Sequence, residues 1–221
     1  MSLARDRAAL GAHQAACRAC HICVEAGIIA EANPTFMGEW GAPFFLVGQA
    51  PGPVERVSRR PFSGRAGKEL DRWMMRAGFV DAAEFRSMTY IASLMRCFPG
   101  RNRSGSGDLK PSRAGIANCA PWLESELRLL QPRALILVGQ MAIATFIGAQ
   151  RLEEVIGKRF GSEPVMVPLP HPSGQSRWLN DAGNRNRLSS ALSILGELRS
   201  EFAARTAVAS GSGDRRAGAS I

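Results

Sequence analysis

Four short stretches of the chain are apolar nearly throughout: 43–48 (PFFLVG), 88–95 (MTYIASLM), 134–139 (ALILVG) and 164–168 (PVMVP). None alternates polar with apolar residues, which predicts strands buried on both faces. The segments between them carry a helical period. In 68–77, Leu70, Trp73, Met74 and Ala77 share one side; in 113–130, Ile116, Leu123, Leu127 and Leu130 do, with Pro121 at a kink or in a first turn. Residues 1–16, 140–147 and 188–204 are further helices. Strands alternating with helices predict an α/β fold: a three-layer α/β/α sandwich with a short four-stranded parallel sheet. Residues 17–42 hold three cysteines and then an irregular stretch. The segment RCFPGRNRSGSGDLKPS, 96–112, is a long Gly/Ser/Arg loop. From Thr206 the chain turns small and polar and is expected to be disordered. The expected organisation is one domain over 1–205 with a tail over 206–221.

This fold class directs attention to one rim. In open parallel sheets, ligands bind outside the carboxyl ends of the strands. Four unusual spots fall there: Gln49-Ala50-Pro51-Gly52, Ser93 to Cys97, Gly139-Gln140 and His171-Pro172-Ser173. Gly and Pro punctuate any strand end, but these spots coincide with the chain's one downstream histidine.

Charge sharpens the picture. The formal charge is +9 and the pI near 10.3, with Arg dominating the basic residues. Arg pairs well with phosphate, so a polyanionic partner is indicated ahead of a merely solvated basic surface. No stretch is apolar enough to span a bilayer, and the first residues carry no secretory pattern, so a cytoplasmic protein is expected, with nucleoid association through DNA. No G-x-x-x-x-G-K-[ST] loop is present, which argues against a P-loop nucleotidase. A C-x2-C pair can offer two thiolates to one metal centre, and two more cysteines would complete a four-thiolate set. A structural zinc and plain burial are the alternatives.

Several segments, in order, resemble the uracil-DNA glycosylase superfamily, nearest its iron–sulfur (family 4) branch: VGQAPGPVE, RPFSGRAGKEL, YIASLMRC, CAPWLESELRLLQPRALILVGQMA and LPHPSG. The resemblance implies an enzyme that hydrolyses the N-glycosidic bond of a deaminated base, uracil first, and so initiates base excision repair. It implies a structural [4Fe–4S] cluster on Cys17, Cys20, Cys97 and Cys119, leaving Cys23 as a small buried side chain. It further implies that Gln49 and Ala50 face the base, that Phe62 stacks on it, that Ser93 reads its edge, and that His171 donates to its carbonyl oxygen. Arg65, Ser173, Gln175 and Arg177 would contact DNA, with Arg177 as wedge beside Trp178. Arg56, Arg59, Arg60, Arg101 and Arg103 are further phosphate candidates, and the SGRAG turn, 63–67, offers backbone N–H groups. The protein is expected to act as a monomer.

Two departures from the resemblance bear on chemistry. The iron–sulfur branch has Glu where this chain has Gln49, and the classical branch has Asp where it has Ala50. The branch has Asn at the position of Ser93, so base reading should be less strict, and hypoxanthine or xanthine become possible substrates. Glu55 is the nearest acidic residue to the first motif. The other readings are a catalytically weak DNA-damage-binding protein on the same scaffold, and a small-molecule α/β enzyme with no affinity for DNA.

Overall fold

The computed structural model describes residues 3–102, 104, 107–173 and 177–211. Four strands, β1 (Phe44–Gly48), β2 (Thr89–Ser93), β3 (Ala134–Val138) and β4 (Val165–Leu169), form one sheet in the order β2-β1-β3-β4. Every pairing is parallel, with Phe44 opposite both Thr89 and Ala134, and Ala134 opposite Val165. β1, β2 and β3 are buried at every residue.

Neighbouring strand residues point to opposite faces, and here both faces are covered. Phe44 meets Phe79 and Phe202, at 5.8 and 5.0 Å between ring centroids. Phe45 stacks on Tyr90 at 5.1 Å, and the Tyr90 hydroxyl donates to Glu126. Phe202 lies on the last helix and Glu126 on the long helix before β3, so the sheet is the middle layer of three.

The helices are α1 (Leu3–Arg18), α2 (Ile22–Glu25), α3 (Pro53–Ser58), α4 (Arg65–Arg76), α5 (Ala82–Ser87), α6 (Arg113–Leu130), α7 (Gln140–Phe146), α8 (Leu152–Val155) and α9 (Ala182–Gly211). α1 and α2 pack on α6; α4 packs on α5 and α9. The helix through Pro121 is continuous, from the Ser112 cap to Leu130. The last helix departs from expectation at both ends. It starts at Ala182, where the Asp181 carboxylate accepts the Asn184 N–H at 2.9 Å, and it runs to Gly211, past the expected boundary at Ala204. Residues 212–221 of the expected tail lie outside the described residues. No described helix is long and apolar enough to cross a membrane.

Candidate active site

At the carboxyl rim of the sheet, a cleft of about 490 Å³ is lined by Gln49, Ala50, Phe62, Arg65, Ser93, His171 and Ser173, together with Glu55 and Asp108. Backbone bonds align its walls. The Leu94 N–H donates to the Gly48 carbonyl and the Met95 N–H to that of Gln49, which locks the exits of β1 and β2 together. The Gln49 side-chain amide makes no hydrogen bond among the described residues and borders the cleft.

The floor depends on glycine. A side-chain carbon at Gly48 would come within 3.3 Å of the Phe62 ring and 3.4 Å of the Ser93 hydroxyl. The bare strand end therefore lets the ring lie against it, beside Ser93. Phe62 holds a left-handed backbone, φ 51°, rare for a bulky residue and maintained only where the surroundings enforce it. Buried Arg86 does so. Its guanidinium donates to the carbonyls of Pro61 at 3.1 Å and Phe62 at 2.9 Å, and pairs with Asp71 at 3.0 Å. Gly67 lies directly beneath, where a side-chain carbon would fall 1.7 Å from the Phe62 carbonyl oxygen.

Glu55 is a bracket between two loops. One carboxylate oxygen accepts the N–H groups of Ser63 and Gly64, at 2.9 and 2.8 Å, and the other accepts that of Gly52, at 3.2 Å. Those bonds occupy two of the N–H groups that the SGRAG turn was expected to offer to phosphate.

His171 follows β4 and packs over Gly139, the residue just after β3. Its Nδ1 accepts the Ser173 N–H at 3.2 Å, so in the neutral ring the proton sits on Nε2. Burial holds the imidazole below its usual pKa. The result is a neutral hydrogen-bond donor.

Away from the cleft, all five cysteines line a second hollow, with Arg96, His21, Asn118 and Trp122 among the other walls. Cys23, Cys97 and Cys119 share one small cluster with Met95 and Ile29, whereas Cys17 belongs to the main core. The Cys97 thiol feels those of Cys119, Cys23 and Cys20 electrostatically, the Cys119 thiol those of Cys23 and Cys20, and the Cys17 thiol those of Cys119 and Cys20. Burial pushes the thiols of Cys17 and Cys97 up to about 12 and that of Cys119 to about 11. Backbone N–H groups of Asn33 and Arg96 donate to the sulfurs of Cys97 and Cys119 at 3.3 and 3.4 Å. Among the described residues, no three His, Cys, Asp or Glu side chains converge tightly enough to hold a single metal ion. The thiols surround a space instead.

The family model of the uracil DNA glycosylase superfamily matches residues 35–196. The chain belongs to the uracil-DNA glycosylase superfamily. Among its relatives, the Type-4 uracil-DNA glycosylase of Pyrobaculum aerophilum is 32% identical over 122 residues, covering 55% of this chain and 54% of the relative. That of Thermotoga maritima is 28% identical, over 58% of this chain and 63% of the relative. A Type-5 uracil-DNA glycosylase of Mycobacterium leprae is 29% identical, over 60% and 66%. The chain thus spans a little over half to two thirds of the length of these curated relatives.

Within this superfamily member, the residues marked from sequence are distributed unevenly. Gln49, Ala50, Phe62, Arg65, Ser93, His171 and Ser173 share the cleft. Gly139 supports His171, but Gln140 leaves the rim and donates to the Gln150 carbonyl at 2.8 Å. Arg177 is exposed on a short 3-10 turn that does not line the cleft. Trp178, expected beside the wedge, is tied to Glu153 through its indole N–H at 2.7 Å. Arg56 and Arg59 pair with Glu31 at 3.6 and 3.7 Å, and Arg101 faces a neighbouring groove with Arg56. Gln175 and Arg103 lie outside the described residues. Sequence reasoning passed over Arg86 and Asp108. Arg86 sits in a short helix with no motif, and Asp108 in a segment whose composition reads as a linker.

Proposed function

We propose that this protein is a DNA glycosylase that flips a deaminated base, uracil first, out of DNA and hydrolyses its N-glycosidic bond. One observation carries the reading: Phe62, Gln49, Ser93 and His171, from three separated regions of the chain, border one cleft. A flipped base is read by stacking and by hydrogen bonds to its edge. Phe62 supplies the stacking face; the Gln49 amide and the Ser93 hydroxyl supply bonds to the edge. As the bond to the sugar lengthens, negative charge grows on the base carbonyl oxygen. The Nε2–H of a neutral His171 stabilises that charge without giving up its proton. Arg65 at the cleft, and the exposed Arg56, Arg59 and Arg60, hold the phosphates. Arg56 and Arg59 can exchange Glu31 for phosphate, because exposed ion pairs of this kind are weak. Arg177 remains the candidate wedge.

We further propose that the cysteine hollow holds a structural [4Fe–4S] cluster, on Cys20, Cys23, Cys97 and Cys119. Cys23 takes the place of the expected Cys17 in this set because it groups with Cys97 and Cys119 in one small cluster; Cys17 lines the same hollow and is the alternative fourth ligand. The hollow fits an anionic group. Arg96 is 1% exposed, lines it, and among the described residues leaves Nε and Nη1 without hydrogen-bond partners. A structural zinc on the same four thiolates, at about 2.3 Å from each sulfur, is the alternative. The cluster's chemistry is structural, since glycosidic hydrolysis requires no electron transfer.

The test is incubation with single-stranded and duplex DNA containing uracil, hypoxanthine or xanthine, followed by alkaline cleavage of the abasic product. Strand scission at uracil is expected, with hypoxanthine or xanthine accepted more weakly. The short Ser93 and the absence of a carboxylate at Gln49-Ala50 favour a second reading, a damage-binding protein. Measurable DNA binding with no scission at high protein concentration would establish that reading instead.

A further inference from the structure

The first loop of the cleft carries no carboxylate, yet hydrolysis passes through a positively charged sugar and requires a group to take a proton from water. Gln49 can orient a water molecule, but an amide is not a base. The acidic residues bordering the cleft are Glu55 and Asp108. Glu55 is consumed, with three backbone N–H groups on its two oxygens. The Asp108 carboxylate makes no hydrogen bond or ion pair among the described residues.

Asp108 is also well placed. It lies on the segment joining β2 to α6, where Arg101 and Asp108 form an antiparallel bridge. The Asn102 N–H donates to the Gly107 carbonyl at 2.9 Å and the Leu109 N–H to that of Gly100 at 2.8 Å. This hairpin stem brings the carboxylate beside the first loop. Its Oδ2 lies 3.7 Å from where a side-chain carbon of Gly52 would be. Ser93 is buried near the floor, beside the Phe62 ring, whereas Asp108 is exposed at the rim. A base resting on the floor leaves its sugar toward the exposed side of the cleft, which Asp108 borders.

We infer that Asp108 is the catalytic carboxylate of this enzyme, facing the sugar; the inference rests on the glycosylase reading above. The bond between C1′ and the base nitrogen breaks, and its electron pair leaves with the base. The Asp108 carboxylate stabilises the sugar cation. Water then bonds to C1′ and passes a proton to Asp108. The base anion, held at His171, takes up a proton from solvent, and Asp108 returns its own to solvent. The products are the free base and an abasic site.

The experiment is single-turnover release of uracil from single-stranded DNA by the cluster-loaded wild type, D108N and D108A, with DNA affinity and thermal melting measured alongside. General acid–base groups contribute on the order of 10²–10⁴-fold, so D108N and D108A should be slowed at least about 100-fold. DNA affinity should be unchanged or tighter, because a negative charge near phosphate has gone. Added formate should restore part of the D108A rate, a result that a merely structural role would not produce. D108N turning over as fast as the wild type overturns the inference and leaves the glycosylase reading standing. A slow D108A that formate does not rescue, or that melts well below the wild type, also overturns it. A wild type that releases no base from any substrate sinks both, and is distinguished from the other outcomes by the wild-type control alone.

Discussion

At the residue scale, His171 shows how a tautomer can be set by the main chain. The Ser173 N–H occupies Nδ1 and fixes the proton on Nε2. Burial keeps the ring below its usual pKa, so the neutral form persists as pH falls through the ordinary histidine range near 6.5. Protonation would put a second N–H on Nδ1, facing that of Ser173. The excision rate should therefore stay level on acidification through pH 6.5 and fall only at lower pH, once the depressed pKa is passed; a limb centred at 6.5 would contradict this. Loss of a single donor to a developing oxyanion typically costs 10²–10³-fold in rate. His171→Ala should lose about that much in single-turnover uracil release and leave DNA affinity within a few-fold. Equal losses of both would mark the residue as structural.

At the element scale, the turn between α3 and α4 is a small machine for presenting one ring. Phe62 sits at a positive φ, Arg86 of α5 holds its carbonyl, and Glu55 of α3 ties the following two N–H groups. Gly67 in the first turn of α4 is the tightest point. Gly67→Ala places a carbon 1.7 Å from the Phe62 carbonyl oxygen, so the turn must move. It should lower the melting temperature and weaken binding to uracil-containing DNA. The stacking share of that affinity is about 1–3 kcal/mol, and Phe62→Ala, which deletes only the ring, measures it separately. A Gly67→Ala protein with wild-type melting and affinity would show that the turn can relax. The α-helices missed in sequence are α2, α3, α5 and α8, each under two turns. α5 is defined by a cap, the Asp81 carboxylate on the Glu84 N–H at 2.7 Å, rather than by an apolar period. Short helices of this kind carry too few residues to show a periodicity.

At the scale of the whole molecule, the cysteine hollow ties both ends of the chain's most irregular connection. Cys97 precedes the hairpin that carries Asp108, and Cys119 lies in α6 beyond it. The thiols are also tied to the N-terminal segment through Cys20 and Cys23. A cluster there would hold the active-site rim from behind. Anaerobically purified protein should be brown and contain four iron atoms per [4Fe–4S] site. Cys23→Ser should lose iron and visible absorption, whereas Cys17→Ser should keep both. The reverse pattern would restore Cys17 to the ligand set, and a colourless wild type containing zinc would overturn the cluster.

The sequence by itself determined the layers and the place of the site. Strands apolar on both faces can be satisfied only by helices above and below, and a parallel sheet gathers its loops at one rim. Gln49, Ser93 and His171 were legible for that reason, each beside a strand end, whereas Phe62 was marked only by the resemblance of its RPFSG motif to the superfamily. Tertiary structure alone decided which side chains are free to act. Glu55, the nearest acid in sequence, is consumed by backbone N–H groups, while Asp108, 53 residues further on in a segment resembling a linker, stands at the cleft without a partner among the described residues. Likewise the convergence of Cys23 with Cys97 and Cys119 in one cluster follows from how α2 packs on α6, and no spacing along the chain records it. Hydrogen-bond occupancy and three-dimensional convergence depend on partners far away in sequence, and local pattern carries no trace of them.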